Sequence, residues 1–336
     1  MTLTTDDSLT IQLTARDVLA RSYPPDRVAA LADGPRTPDP QAWSELEALG
    51  WFDPDLPPTA QVLLAEECGY HLTPQPWWST MCVAALGRLR PGPAGVALRL
   101  ADGLPAIAAP DVVATPGEPW VLSGAVDRVP DVDAVSSVLV EASSPTGPML
   151  FCVDLSGRGV VKRSRPSLDP LRPVGEIVFT AAPAERLYSG VGTAAATAAV
   201  RSRGLLLLAG EAVGVAQRAY DIAREHACTR QQFGRPIGSY QAVAFRIADM
   251  YVDLELARSL TRAAAADGAP IGVSCALVAA RRAAIGACEQ TIQVLGGIGM
   301  TWEHPVHRWY RRALWIQAFG GSSDLHYERV AQHALG

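Results

Sequence analysis

Apolar residues recur every three or four positions through most of the first hundred residues, which is the spacing of one buried helical face. Clusters rich in proline and glycine, such as DGPRTPDP and PDLPPT, interrupt this pattern. The pattern predicts helices over residues 9–22, 41–49, 60–70 and 79–89. We therefore expect an N-terminal helical domain over residues 1–104.

The periodicity changes after residue 104. Short β-rich runs, separated by turn sequences such as SSPTGP and SGRG, predict strands at residues 120–122, 135–140, 149–153 and 176–180. Long helical patterns then return at residues 193–228, 239–267, 270–295, 304–317 and 323–334. We expect a small β-domain over residues 105–188 and a C-terminal four-helix bundle over residues 189–336. The predicted fold class is α+β, mainly α.

Composition and charge narrow the classes of partner. The 336 residues carry a net charge of −5 and are 49% hydrophobic, so the chain lacks the basic character that binding to nucleic acid requires. Its longest apolar runs, such as residues 205–209, are far shorter than the roughly 20 residues of a membrane span. The first ten residues are acidic and polar, unlike a signal peptide. These features predict a cytoplasmic protein that binds neither nucleic acid nor membrane.

Cysteines and histidines give no sign of a metal site. The six cysteines are scattered without a CxxC pair, which is typical of reduced thiols in a protein core. His304 and His307 have a spacing that places two side chains on one helical face, but no third ligand stands nearby in the sequence. We expect no bound metal.

Two segments in the C-terminal region carry candidate binding chemistry, RQQFGRPIG at residues 230–238 and QVLGGIG at residues 293–299. A guanidinium at the end of a long helix, such as that of Arg230, can pair bidentately with a phosphate. Phe233 can cover a flat ring, and Gln241, one turn into the next helix, offers both a donor and an acceptor. Taken singly, each segment is equally typical of a plain helix end, with Arg230 as a cap or the glycines as a Schellman ending.

The order of these segments resembles that of a known family. RQQFG follows a long helix, QAVAFRIADMYVDLELAR comes behind it, and QVLGGIGMTWEHPVHRWYRRA lies near the end. Together they resemble the acyl-CoA dehydrogenase family, closely in the C-terminal half and in outline in the first half. The resemblance implies an FAD cofactor, an acyl-CoA substrate and an electron-transfer flavoprotein as acceptor. The implied cofactor-binding residues are Arg230, Gln232, Phe233, Gln241, Gln293, Gly296 and Gly297.

The resemblance also shows what is missing. Dehydrogenation needs a carboxylate that removes a proton from the carbon next to the thioester carbonyl while a hydride leaves the adjacent carbon for the flavin. Counted without gaps from the QxxGG motif, the family's glutamate position is Gly320, and the alternative position on the preceding long helix is Gly204. We therefore assign no catalytic residue.

The β-domain departs from the family as well. The TE…GSD and WxTN motifs that contact the flavin in relatives correspond here to APDVVATPGEP and to DRVPD at residues 127–131. In the family, one subunit holds the flavin through these motifs and its neighbour contributes RxxFG and QxxGG across the interface. The chain resembles the degenerate partner subunit of heterotetrameric actinobacterial acyl-CoA dehydrogenases, some of which act on bulky or steroid-derived thioesters. The resemblance implies that it shares FAD with a related subunit that has an intact catalytic glutamate, and that it is active only in that complex.

Two other functions remain open. One is a complete homodimeric acyl-CoA dehydrogenase with a relocated base, for which the candidates are Asp324, Glu303 and Glu211. The other is a non-catalytic scaffold or acyl-binding module that has lost flavin. Retention of the RQQFG and QVLGGIG segments disfavours the scaffold, which needs neither.

Overall fold

The computed structural model describes residues 5–34, 39–53, 55–87, 92–96 and 112–336. Contacts divide the chain into two compact units. Unit 1 comprises Met1–Asp33, Pro57–Thr73 and Leu205–Gly336, and unit 2 comprises Gly34–Leu56 and Pro74–Gly204. The predicted boundary between residues 104 and 105 lies outside the described residues.

The first part of the chain forms five described helices, α1 (Thr5–Ser22), α2 (Pro25–Asp33), α3 (Pro40–Ala48), α4 (Pro58–Tyr70) and α5 (Trp77–Ala84). Proline is the first residue of α2, α3 and α4, where its missing N–H would have no helical partner in any case. The carboxylate of Asp39 caps α3 by accepting a 3.0 Å hydrogen bond from the backbone N–H of Ala42. Helix α2 has no counterpart in the predicted elements.

Unit 2 contains a seven-stranded sheet made of β1 (Ala94–Val96), β2 (Val112–Thr115), β3 (Trp120–Pro130), β4 (Ser137–Ser144), β5 (Gly147–Asp154), β6 (Val160–Arg165) and β7 (Val174–Ser189). The strand order is β1-β4-β2-β3-β7-β5, and β4 also pairs with β5, so the sheet closes on itself. Its interior holds fully buried side chains such as Leu122, Val138, Phe151 and Ile177. Among the described strands, β6 pairs with β7 alone, and apart from Val161 its exposed residues are polar.

The remainder of the chain is mainly helical. It forms α6 (Val191–Thr229), a hairpin of β8 (Gln231–Gln232) and β9 (Arg235–Pro236), α7 (Gln241–Asp267), α8 (Pro270–Leu295), α9 (Val306–Ala318) and α10 (Ser323–Leu335). Gly268, with φ of +68°, ends α7, and Pro270 begins α8, so α7 and α8 run antiparallel. The predicted fold class is confirmed: helices on either side of a small sheet in sequence, ending in a helical bundle.

Close backbone contact joins α4 to α6 within unit 1. A Cβ added to Gly214 of α6 would lie 1.8 Å from the carbonyl oxygen of Glu66 of α4. Only glycine permits this approach, so Gly214 sets the distance between the two helices.

Helix α8 is the central helix of the bundle. The stretch Pro270–Met300, which includes α8, is long and apolar enough to cross a membrane by length and composition alone. However, 61% of its most apolar window is buried inside the structure. Buried residues along α8 include Val273, Leu277, Ala284 and Cys288, as expected of a core helix.

Candidate functional site

The RQQFG segment forms a tight hairpin at the end of α6. The backbone N–H of Arg230 donates to the carbonyl of His226 at 2.8 Å, and the N–H of Ile237 closes the hairpin by donating to the carbonyl of Arg230 at 2.8 Å. Phe233 and Gly234, the two turn residues, have φ of +53° and +78°, as a type I′ turn requires. A positive φ is unusual for phenylalanine. The turn places the Phe233 ring at the tip, where it is 93% exposed.

Tyr240 holds this hairpin, and sequence reasoning did not single it out. Its hydroxyl donates to the carbonyl of Gln232 at 3.1 Å, and the Arg235 guanidinium lies 4.1 Å from its ring centroid. Tyr240 is also the N-cap of α7, so Gln241 is the first helical residue. The prediction that Gln241 lies one turn into its helix is therefore wrong, because residues 237–239 form a separate 3₁₀ turn. The only sequence feature that could have drawn attention to Tyr240 is its place as an aromatic residue between the RQQFG segment and the next helix.

The ends of three helices meet at this hairpin. Because α7 and α8 run antiparallel, the beginning of α7 and the end of α8 lie at the same end of the pair. A hydrogen bond of 2.5 Å from Arg246 of α7 to Gln290 of α8 fixes that register. A Cβ on Gly238 would lie 3.0 Å from the carbonyl of Ala227, so the 3₁₀ turn packs against the last turns of α6. Gln241 and Gln293 consequently lie at the same end of the bundle as Arg230.

We call the seven predicted cofactor-binding residues the helix-end surface: Arg230, Gln232, Phe233, Gln241, Gln293, Gly296 and Gly297. All seven are exposed. Their four polar side chains make no hydrogen bond or ion pair with any residue in the described part of the chain. The surface therefore exposes a guanidinium and three amides without hydrogen-bond partners among the described residues, together with the Phe233 ring, which touches only the edge of Tyr240.

The two glycines of this surface leave its backbone open. Helix α8 ends at Leu295, and its C-cap Gly296 has φ of +66°, as predicted for a helix that ends on glycine. A Cβ on Gly297 would meet nothing within 4 Å, so the packing of the chain itself does not require glycine at this position. The open backbone beside Gln293 leaves space for a bound group to approach closely.

The position that aligns with the family's glutamate is closed. Gly320 and Gly321 form the turn between α9 and α10, and both are buried, with φ of +85° and +91°. A Cβ on Gly320 would lie 2.4 Å from Cδ2 of Leu205. A side chain at this position would need the Leu205 side chain to move and would adopt a positive φ, which is strained for any residue other than glycine.

Two buried side chains hold this turn in place. Arg281 of α8 donates to the carbonyls of Gly321 at 2.8 Å, of Ile316 at 3.3 Å and of Phe319. Burial lowers the pKa of Arg281 to about 10, so the guanidinium remains charged at neutral pH. His326 donates from Nε2 to the carbonyl of Gly320 at 2.7 Å and lies 3.1 Å, through Nδ1, from the hydroxyl of Ser274. Burial lowers the pKa of His326, which favours the neutral ring.

The other candidate positions differ in environment. Glu211 is buried and accepts a 2.6 Å hydrogen bond from Arg312, in an ion pair whose two side chains are 2% exposed or less. Glu303 and Asp324 are exposed, the first before α9 and the second in the first turn of α10. In unit 2, the carbonyl of Gly204 accepts a 3.0 Å hydrogen bond from the indole N–H of Trp78.

The DRVPD segment of unit 2 forms a buried polar contact. Asp131 is fully buried and lies 3.5 Å from the guanidinium of Arg172, which is equally buried. The hydroxyl of Ser79 donates to the same carboxylate at 3.3 Å. Arg128 and Asp131 both have φ of +57°. Of the APDVVATPGEP stretch, residues 109–111 lie outside the described residues.

Comparisons with known proteins identify the family. The family model "Acyl-CoA dehydrogenase, C-terminal domain" matches residues 190–335. The acyl-CoA dehydrogenase IpdE2 of Mycobacterium tuberculosis is 43% identical over 108 residues, which are 32% of this chain and 34% of that protein. The short-chain specific acyl-CoA dehydrogenase of Bos taurus mitochondria is 31% identical over 250 residues, or 70% of this chain and 60% of that protein. The chain belongs to the acyl-CoA dehydrogenase family.

Similarity to a solved structure extends over nearly the whole chain. The structure named Tcur3481-Tcur3483 steroid ACAD G363A variant is 28% identical, covers 98% of this chain and 99% of that chain, and superposes with a TM-score of 0.84. By contrast, the matched segments span less than two thirds of the length of IpdE2 and of the bovine enzyme.

Membership in the acyl-CoA dehydrogenase family implies an FAD cofactor. The helix-end surface fits part of such a group. Its Arg230 guanidinium is unpaired and suits a pyrophosphate, the Phe233 ring suits a flat heterocycle, and the space beside Gly297 admits close approach. Gly320 and Gly321, in contrast, have no side chain that could accept a proton. An acyl-CoA dehydrogenase fold is thus combined here with an exposed helix-end surface and a buried turn at Gly320.

Proposed function

We propose that this chain is the partner subunit of a heteromeric, FAD-dependent acyl-CoA dehydrogenase. It contributes cofactor contacts across the subunit interface and leaves proton removal to a related subunit with an intact glutamate. The reaction is the α,β-dehydrogenation of an acyl-CoA thioester.

The observation that carries this proposal is the closed turn at Gly320. A general base must reach the proton that it removes and must be held there. The buried glycine, its positive φ and the methyl group of Leu205 2.4 Å from a built Cβ all oppose a carboxylate at this position. Glu211 does not replace it, because its carboxylate is already paired with Arg312 in the bundle core. The chain therefore retains the fold and depends on another subunit for the base.

The helix-end surface supports the complementary half of the proposal. Arg230 would pair with the pyrophosphate of a cofactor held mainly by the partner, and Phe233 would cover an adenine or flavin edge. Gln241 and Gln293 provide hydrogen bonds from the two adjacent helix ends. Exposed polar side chains that make no hydrogen bond or ion pair within the described residues suit a cofactor shared between subunits.

In this arrangement the chain helps to bind and orient the cofactor, and the partner subunit removes the proton from the substrate. The flavin, when bound, supplies a hydride acceptor. Arg230 would neutralise phosphate charge on the bound cofactor, while Tyr240 keeps the hairpin in the conformation that presents Phe233. Since the turn at Gly320 is occupied by its own packing, it accepts no proton during turnover.

The similarity to the steroid ACAD favours a bulky acyl group as substrate. The name of that structure joins two proteins, Tcur3481 and Tcur3483, and its chain matches this one almost end to end. We propose by analogy a heterotetramer that acts in lipid or steroid catabolism, uses an electron-transfer flavoprotein as acceptor, and is located in the cytoplasm.

The test is anaerobic flavin reduction. The full chain is purified alone, supplied with FAD and mixed with acyl-CoA thioesters, including a steroid-derived one, while absorbance near the flavin maximum is followed. The same assay is run after co-expression with a related chain that carries the glutamate. We expect reduction only with the co-expressed pair. Reduction by the isolated chain would show that it carries its own base and would overturn the proposal.

A further inference from the structure

A small cavity lies in unit 1, at the junction of α1 and α2 with the end of α4, the middle of α6 and the start of α9. Its volume is about 120 Å³. Tyr23, Val28, Tyr70, Pro305 and Trp309 are among the residues of its mainly apolar wall. For comparison, an engineered apolar cavity of about 150 Å³ is large enough to bind benzene. This cavity is somewhat smaller and partly open to solvent, so it suits a short branched chain, or a single ring whose polar end extends toward the opening.

One wall of the cavity carries a positive charge. The Arg218 guanidinium lies 5.2 Å from the ring centroid of Tyr70 and 5.5 Å from that of Trp309. It donates to the hydroxyl of Tyr70 at 3.1 Å, and that hydroxyl lies 3.1 Å from the carboxylate of Asp221. Arg218 forms no salt bridge with a carboxylate in the described part of the chain. Its remaining N–H groups are available to an anion.

Two further polar atoms at the cavity lack partners. Nε of Arg308 is buried without a hydrogen-bond partner, although its Nη2 donates to Asp33 at 2.9 Å. Nε2 of His71 is also buried without one and lies 3.8 Å from the Glu67 carboxylate, too far for a hydrogen bond. Less than 1 Å² of each atom is accessible, so both lie behind the cavity wall, and Arg218 is the group that can meet an anion in the cavity.

The rings at the cavity are held rigidly. The indole N–H of Trp309 donates to the backbone carbonyl of Tyr70 at 3.0 Å, which ties α9 to the end of α4. Tyr23 is 2% exposed and closes the α1–α2 side. A preformed apolar space with a few convergent polar groups is the usual character of a small-molecule site.

We propose that this cavity binds a small apolar carboxylate, whose carboxylate group pairs with Arg218 and whose hydrocarbon part packs between Tyr23, Val28 and Trp309. The site is distinct from the helix-end surface. Arg218 of α6 lies twelve residues before Arg230, the residue that follows the helix, or about 18 Å along the helix axis. It also requires no flavin and no second subunit, so it stands independently of the proposed function.

The experiment is calorimetric titration of the full chain with benzoate, and separately with benzamide, which has the same shape without the charge. We expect saturable binding of benzoate and about tenfold weaker binding of benzamide, as expected for loss of one charge-assisted pair. Arg218→Met is expected to weaken benzoate binding about tenfold. The matched control, Arg224→Met, changes an exposed arginine on the same helix and should bind benzoate as the wild type does.

A second variant keeps the test valid if Arg218→Met fails to fold. Ala20 is exposed at the cavity, so Ala20→Phe fills the space without touching the charge. We expect Ala20→Phe to abolish benzoate binding and Ala30→Phe, at an exposed position of α2 away from the cavity, to preserve it. The proposal is overturned if benzoate does not bind saturably, if benzamide binds equally well, or if the cavity-filling variant binds as the wild type does.

Discussion

Cδ2 of Leu205 occupies the space that a side chain on Gly320 would need, at 2.4 Å from a Cβ built there. The turn cannot relax easily, because Arg281 and His326 hold its carbonyls. The absence of a carboxylate at this position is therefore part of the packing of the bundle. A glutamate at this position would need the Leu205 side chain to move and a positive φ for its own backbone.

Gly320→Ala should lower the stability of the protein. Overpacking against Leu205 costs about 1–3 kcal/mol, and the positive φ adds about 1 kcal/mol for a residue with a side chain. We expect a clear fall in the thermal unfolding midpoint. Gly286→Ala on α8 is the control, since a Cβ there meets nothing within 4 Å, and it should leave the midpoint unchanged or raise it. An equal effect of the two substitutions would contradict the packing at Gly320.

Arg281→Met should loosen the turn between α9 and α10. The substitution leaves the carbonyls of Gly321, Ile316 and Phe319 without their donor, at a cost of about 1–3 kcal/mol for each buried group left unsatisfied. Amide hydrogen exchange over residues 319–326 should accelerate. Arg282→Met is the matched control. The Arg282 side chain is 73% exposed, so its loss should change the exchange rates in the turn very little. Unchanged exchange in Arg281→Met would show that the guanidinium does not hold the turn.

Local signals placed most of the bundle correctly. Helix α8 was predicted to its observed bounds because Pro270 opens it and Gly296 closes it. Helix α2 was not predicted. A pair of prolines such as Pro24-Pro25 is typical of a loop, whereas here Pro25 is the first residue of a helix. Strand β6 was missed because an edge strand with exposed polar residues lacks the alternation of a half-buried strand.

The candidate site also has one part that the sequence could locate and one part that it could not. The helix-end surface lies where α6 and α8 end and where α7 begins. The RQQFG and QVLGGIG motifs mark these helix ends in the sequence, so the residues could be located from the sequence. The closed turn at Gly320 depends on Arg281, about 40 residues earlier, and on Leu205, more than 100 residues earlier. No local pattern encodes such contacts. The aligned glycine indicated a missing base, but only the structure shows that the position is filled.

His71 should make stability depend on pH. Burial, followed by the charges of Arg16 and Arg218, lowers the pKa of His71 from 6.5 to about 4. Because the folded pKa is lower than the unfolded one, the unfolded chain takes up the proton first as pH falls. The free energy of unfolding should therefore decrease between pH 6.5 and pH 4, by roughly 3 kcal/mol in full, and level off below.

The readout is the difference in pH dependence between the wild type and His71→Gln. Glu67, whose pKa is raised by burial, changes stability in the opposite sense and is present in both proteins. Denaturant titrations from pH 7 to pH 4 should show a shallower fall in the variant. His333→Gln, at an exposed position in α10, is the control and should retain the wild-type slope. Identical slopes for the wild type and His71→Gln would refute the assignment.

Arg230→Ala should weaken retention of FAD by the co-expressed complex. Loss of a hydrogen-bonded charge contact to a phosphate costs about 1.5–3 kcal/mol, or roughly 10- to 150-fold in affinity. The variant should fold normally, because the side chain is exposed and has no partner in the described part of the chain. Arg224→Ala, also exposed on α6, should retain FAD as the wild type does. Equal retention by both variants would exclude Arg230 as a cofactor contact.

The most direct test of the central claim is the number of FAD molecules bound per pair of chains. The full chain is purified alone and together with a related subunit that carries the glutamate, and the bound flavin is counted against protein by absorbance. The account predicts a colourless isolated chain and one FAD per heterodimer. A full complement of FAD on the isolated chain, or two FAD molecules per heterodimer, would contradict it.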